Sequence, residues 1–309
     1  MNEEAGLMMD TDISLYDNMT KLEELRQKHV LGLGLSVVGI FVMMFGHLSI
    51  IGSGGIGIAG FMLGIAMMLG GVFLTRKINK QFKAVYKQTF VEAPLQKNFG
   101  NVVYLWDMGF TREKVHAIGL VRMGNRFQSE DYISAIYENV KFEISDVTVK
   151  HHTSSGKHSR TVTYFKGRMM IFDFPEKFVT SLRIYSSNFQ YRGDASLFNY
   201  NAAQKVSMED VEFNQFFDVY SDNSLDAFYV LTPHFMNKLK ELLHRYGNLA
   251  IHVSGNQMVF AFNERQSNAF DASSMTKKIS YPEEMAKIQR DIDDIKDIIG
   301  TIDNVESDW

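Results

Sequence analysis

The sequence predicts an α+β protein: a two-helix transmembrane hairpin, then a cytoplasmic, mainly antiparallel sheet domain with packed helices, then a C-terminal amphipathic helix. Three observations carry this. From Val30 to Thr75 there is no Asp, Glu, Lys or Arg. Between Val140 and Phe262 several runs alternate apolar and polar residues and are separated by turn residues. Near the end Met285, Ile288, Ile292, Ile295, Ile299 and Ile302 recur three and four apart.

The expected segments are an acidic N-terminal stretch with an amphipathic helix (1–29), the hairpin (30–75), a basic juxtamembrane stalk (76–94), the cytoplasmic α+β domain (95–264), and a linker with a heptad helix (265–309). The 309 residues are 45% apolar and 22% charged, which specifies a folded chain with a sizeable core. With no cysteine, disulfides and thiolate metal sites are excluded. A net charge of −4 argues against a dedicated nucleic-acid binder, since phosphate neutralisation needs a basic surface.

Before the apolar stretch, Leu15, Met19, Leu22 and Leu25 form a stripe on a helix over about Asp12–His29. The uncharged stretch itself is too long for one span of about 20 residues and fits two. Gly52–Gly55 ("GSGG") is the natural break, with helix one over Val30–Ile51 and helix two over Ile56–Leu74. Gly60 and Gly64, four apart, permit close backbone approach within the hairpin or with a neighbouring copy. The late start, the acidic N-terminus and the second span do not fit a secretory signal, so the hairpin reads as a retained anchor. Lys21, Arg26 and Lys28 precede it and Arg76, Lys77, Lys80, Lys83 and Lys87 follow it, while the connecting loop has no cation. Positive flanks stay inside, which expects a two-span protein of the cytoplasmic (inner) membrane with both termini cytoplasmic. The second cation group is expected against the anionic leaflet of the lipid bilayer.

"EAPLQKNFG" reads as a boundary. "TREKVHAIGL" is either a short helix or a strand start. "SEDYISAIYENV" is expected as a helix capped by Ser129, with Tyr132, Ile136 and Val140 at helical spacing. "VKFEISDVTVKHH", "SRTVTYFKGRMMIFDF" and "KFVTSLRIYSS" are expected strands. "KVSMEDVEFNQFFDVYSDN" reads as a strand, with the aromatics of Phe213–Tyr220 in the core. "SLDAFYVLTPHFMNKLKELLHRYG" reads as a helix with Phe235, Leu239, Leu242 and Leu243 on one face and Gly247 as its cap. "NLAIHVSGNQMVFAFN" is a hairpin turning at Gly255-Asn256. In the tail, Ser280, Pro282 and Glu283 open the heptad helix as a capping box. Two readings of its isoleucine seam stay open: a protein partner or self-association as a coiled coil, and docking on the N-terminal helix of the same chain.

The stretch Glu209–Met236, "EDVEFNQFFDVYSDNSLDAFYVLTPHFM", with the upstream "FKGRMMIFDF" of Phe165–Phe174, resembles a bacterial domain-of-unknown-function family, number 3137. The resemblance covers roughly Tyr86–Phe262, with the acidic N-terminus and heptad tail outside it. It implies a membrane hairpin ahead of such a domain, and no activity, cofactor or catalytic residue.

Motifs of known chemistry are missing. "HHTSSGKHS" has His151 where a phosphate loop needs glycine, and no HExxH or G-x-S-x-G occurs. "DIDDIKD" lacks the glycine and terminal glutamate of a calcium loop and reads as a solvated acidic face. The segment "KHHTSSGKHSR" is the tip of a hairpin. A three-residue turn, Ser154–Gly156, sets His152 opposite His158, whereas a two-residue turn at Ser155–Gly156 takes them out of register. Neither supplies a third ligand, so no metal or cofactor is expected. Lys150, His151, His152, Lys157, His158 and Arg160 are the candidate contacts for an anion or an acidic partner. The leading functional expectation is a non-catalytic, membrane-anchored binding or scaffold protein. A tethered enzyme with an unrecognised site and an accessory subunit of a membrane complex are the alternatives.

Overall fold

The computed structural model describes residues 2–53, 55–156, 158–175, 181–193, 204–263 and 270–306. The chain forms two compact units, Met1–Pro94 with Ala272–Ile288, and Leu95–Asp271 with Gln289–Trp309.

The first unit is helical. α1 runs unbroken from Asn2 to Ser53 and α2 from Gly55 to Tyr86, so the chain reverses within the "GSGG" break. The N-terminal stripe is therefore the first part of α1 and not a separate helix, and its Leu22 and Leu25 are buried. Both helices are long and apolar enough to cross a membrane, yet only 17% of either apolar window is buried. The core helix of a soluble protein would be mostly buried, so these faces are built for something other than the protein's own interior. A π-helical segment, Lys87–Glu92, follows, and then α3, Ala93–Phe99. The expected boundary at Pro94 is thus helical. Proline at 94 would clash with the Phe90 carbonyl of a regular α-helix, and the wider π turn just before it relieves this.

The second unit is built on one nine-stranded, wholly antiparallel sheet. Its strands are β1 (Val103–Leu105), β2 (Arg126–Tyr137), β3 (Val140–Ser155), β4 (His158–Asp173), β5 (Leu182–Ser186), β6 (Gln204–Val206), β7 (Phe217–Ser221), β8 (Leu249–Ser254) and β9 (Gln257–Phe262). The spatial order is β1-β2-β3-β4-β9-β8-β5-β7-β6. Inward residues such as Phe142, Ile144, Phe165, Phe172, Ile251 and Phe260 are buried. The helices are α4 (Arg112–Ile118), α5 (Val211–Phe216), α6 (Ser224–Val230), α7 (Pro233–Tyr246) and α8 (Tyr281–Glu306).

Three expectations change. "SEDYISAIYENV" is not a helix but most of β2, interrupted by a bulge between Glu130 and Ile133 where Asp131 takes φ +59°. The bulge shifts the phase of the alternation, which imitates helical spacing in the bare sequence. Glu138 and Asn139, at φ +49° and +64°, then make a two-residue turn into β3. The stretch before β7 is strand, helix, strand, with Phe213 and Phe217 buried but Phe216 partly exposed. The long helix expected from Ser224 splits in two, because Thr232 caps α7 by accepting from the Phe235 N–H and Pro233 opens it. "TREKVHAIGL" resolves as α4, capped by Thr111 and closed by Gly119 at φ +66°.

Candidate functional site

The helical hairpin closes through glycine. Gly32, Gly39 and Gly46 on α1, each seven apart, face Gly71, Gly64 and Gly60 on α2. A methyl on Gly39 would lie 2.6 Å from the Met68 nitrogen, and one on Gly71 2.7 Å from the Gly32 carbonyl oxygen. A methyl on Gly64 would lie 2.7 Å from the Gly39 carbonyl oxygen and one on Gly60 3.4 Å from the Gly46 Cα. Both predicted packing glycines therefore sit in the contact between the helices of one chain. The heptad of glycines was the fuller signal, since a 3.5-residue repeat keeps one face toward the partner helix.

The opposite faces are apolar and open. Leu31, Phe41, Phe45 and Leu48 on α1, and Ile56, Met62, Leu63 and Phe73 on α2, are each more than half exposed. The hydroxyls of Ser36 and Thr75 donate back to the Gly32 and Gly71 carbonyls, which removes them as solvent-facing donors. Beyond Leu74, α2 becomes amphipathic. Thr75, Ile78, Phe82 and Val85 are buried, while Arg76, Lys77 and Lys80 are exposed and Lys83 is half-buried. Lys87 departs from the expected surface set: it is buried within the π-helical segment, so its ammonium is not offered to a surface. Next to it, Tyr86 donates to Glu284 at the start of α8, Ser273 donates to the same carboxylate, and Phe90 packs on Tyr281 with ring centroids 5.8 Å apart.

In the sheet unit, β3 and β4 outrun their neighbours. β2 accompanies β3 only as far as Lys150, and β9 accompanies β4 only from Arg168. The rest is a two-stranded ribbon, about 20 Å of chain at about 3.3 Å per residue. Its register pairs Ser155 with His158, Thr153 with Arg160 and His152 with Thr161. The strands therefore stay paired to Ser155 and His158, further than either expectation, and the chain turns at Gly156, φ +58°. Lys157 lies outside the described residues. His152 and His158 fall on opposite faces and do not meet. His152 bonds Thr161 (2.9 Å), and His151 stacks on Tyr164, ring centroids 5.6 Å apart. Lys150 shares the face of His152, while Arg160 and His158 share the other with His151, so these charges do not form one patch. Among the described residues no group of three histidine or carboxylate side chains could hold a metal ion.

The isoleucine seam of α8 is spent inside its own chain: Ile288, Ile292, Ile295 and Ile299 are all fully buried. From Gln289 onward the helix docks on the sheet unit. Lys296 bonds Asn98 (2.9 Å) and lies over the Phe99 and Tyr137 rings, Asp297 pairs with Lys238, and Asp294 pairs with Arg245 and Tyr246 of α7. Asp291 faces the buried Arg168 guanidinium (3.6 Å), which also faces Asp146 (3.6 Å) and covers the Phe270 ring. The acidic run "DIDDIKD" is thus only partly solvated. Its Asp291 and Asp294 turn inward to arginines, while Asp293 and Asp297 remain exposed.

Three other groups are tuned. Burial, helped by the neighbouring Arg183 guanidinium, pulls the His252 imidazole down to about 4, against a hydrogen bond with the Ile118 backbone. Arg183 itself donates to the Gly119 carbonyl (3.0 Å), closing the end of α4. Burial alone would raise Asp218, but bonds from Lys205 (2.7 Å) and Arg192 (2.5 Å) hold it below its ordinary value. Glu143 behaves alike, burial being outweighed by Lys114 and Tyr132, each at 2.6 Å.

A family model described as "Protein of unknown function (DUF3137)" matches residues 163–304. No curated protein and no solved structure matches the chain. The match begins inside β4, later than the expected start at Tyr86, and runs through α8, which the resemblance had placed outside. The docking of α8 on β4 through Arg168 and Asp291 makes that helix part of the domain, in keeping with the longer match. Both signature stretches, Phe165–Phe174 and Glu209–Met236, lie within the matched residues, so residues 163–304 are the part of the chain that is similar to this domain-of-unknown-function family.

Proposed function

We propose that the protein is a membrane-anchored binding protein. In this reading α1 and α2 cross the cytoplasmic membrane as a hairpin, both termini are cytoplasmic, and the sheet unit binds its ligand or partner at the inner leaflet without catalysing a reaction. The observation that carries it is the outward apolar surface of a glycine-closed helix pair. Water would penalise that many exposed Leu, Ile, Phe and Met side chains, whereas lipid tails solvate them. Cations flank only the open end of the hairpin, with none at the reversal, which favours the cytoplasmic orientation. Arg76, Lys77, Lys80 and Lys83 then meet anionic headgroups, each worth about 1 kcal/mol near the surface.

The test is extraction of cell membranes with alkaline carbonate. The reading expects the protein to stay in the pellet and to leave it only with detergent. Release by carbonate alone would reduce the hairpin to a peripheral contact and overturn the proposal.

A further inference from the structure

β4 rises past the ends of β9, β8 and β5, and that step in the sheet makes a shelf with a cavity of about 300 Å³. Thr163 and Lys166 of β4 form its wall. Its floor is the row of residues that stand just beyond the strand ends: Asn263 after β9, Asn248 before β8, and Asn188 and Gln190 after β5, with Tyr191 at the side. Four side-chain amides thus converge on one concavity, and among the described residues no carboxylate or imidazole lines it.

Little of this polarity is used by the fold. Asn263 Oδ1 accepts from the Lys166 backbone N–H (3.1 Å). Asn248 Oδ1 is buried without a hydrogen-bond partner among the described residues, a cost a ligand donor would remove. Lys166 makes no ion pair among the described residues. Tyr191 packs on Tyr164, ring centroids 4.6 Å apart and tilted by 31°. The volume is at the small end of ligand sites, enough for one sugar-sized molecule. Every lining residue falls within the stretch matched by the family model.

We propose that this shelf binds a polyhydroxylated ligand carrying one anionic group. Each carboxamide offers a donor and an acceptor, the pairing that adjacent hydroxyls require, and Lys166 supplies a single cation. The inference deepens the binding half of the function proposed above and does not depend on the membrane half. The ligand chemistry is shared by soluble sugar acids or sugar phosphates and by the headgroup of an inositol lipid.

The experiment is calorimetric titration of the full chain in detergent micelles with glucose 6-phosphate and glucuronate, and of the chain in nanodiscs with and without phosphatidylinositol. Uncharged glucose and inorganic phosphate are the comparators. Saturable binding of a charged sugar or of the inositol lipid, at least tenfold tighter than either comparator, supports the proposal and identifies the source. Lys166→Gln and Asn248→Ala should each weaken that binding about tenfold or more, with an unchanged circular-dichroism spectrum. Failure of all three charged polyols to saturate overturns the proposal. So does binding of inorganic phosphate that matches them, or binding indifferent to both substitutions. None of these outcomes bears on carbonate extraction, so the two proposals fail separately.

Discussion

Gly64 shows what a single residue decides in the hairpin. Its missing side chain lets α2 press on Gly39 and Met43 of α1, so Gly64→Leu should push the helices apart at a cost of about 1–3 kcal/mol. Gly34 has nothing within 4 Å of an added Cβ, so Gly34→Ala should be neutral or slightly stabilising. Thermal unfolding in detergent, followed for both variants, separates a packing glycine from a bystander. His252 predicts a pH effect. Its folded value is about 4 against an ordinary 6.5, so between those pH values the unfolded chain binds a proton that the folded one refuses. Stability should fall as pH drops through that window, by about 3 kcal/mol in total, and His252→Gln should flatten the slope. Asp218 and Glu143 act lower down. Their lowered folded values contribute stability that is complete above the ordinary carboxylate value of about 4 and is lost as pH falls through the depressed ones. Denaturant titrations across pH measure both windows. The glycine heptads were legible in the sequence by counting sevens. The burial of His252 was not, because β5 and β8 are far apart in the chain and only their pairing brings Arg183 beside it.

At the scale of elements, α8 is the piece whose meaning changed most. Its spacing specified an amphipathic helix, and that is what forms, but spacing alone cannot say what the apolar stripe packs against. The stripe is buried within the chain, and from Gln289 onward the charged side chains beside it pair with β4 and α7. Ile295→Ala should therefore cost about 2–5 kcal/mol in folding stability. The same variant should leave the molecular mass by light scattering unchanged, whereas a coiled-coil dimer through this seam would dissociate. Asp291→Ala removes one carboxylate from the buried Arg168 and should cost about 3–5 kcal/mol, read as a fall in the unfolding midpoint. β2 and the α6–α7 break were hidden for opposite reasons. In β2 a bulge disturbed a period that was otherwise readable, whereas at Thr232-Pro233 the signals of capping were plain but were outweighed by the continuous helical run on either side. The ribbon turn was misplaced because Ser155, Gly156 and Lys157 all tolerate turns, and only pairing with the neighbouring strands fixes the register.

At the scale of the whole molecule, a hairpin that is apolar outside and glycine-closed inside is joined to an antiparallel sheet domain carrying an amide-lined shelf with one lysine. The hairpin was readable because a bilayer imposes length, charge exclusion and flanking cations on a continuous stretch. The shelf was not, since its residues lie within β4 and beyond the ends of three other strands and belong to no motif. The orientation is the central claim of the proposed anchoring. The chain has no cysteine, so single-cysteine variants report cleanly. Ser53→Cys at the reversal and Lys80→Cys on the basic collar, labelled with a membrane-impermeant maleimide, measure it directly in cells with a permeabilised outer envelope. The account predicts that Cys at 53 labels in intact inner-membrane cells and that Cys at 80 labels only after lysis. Labelling of position 80 from outside, with position 53 protected, would contradict it.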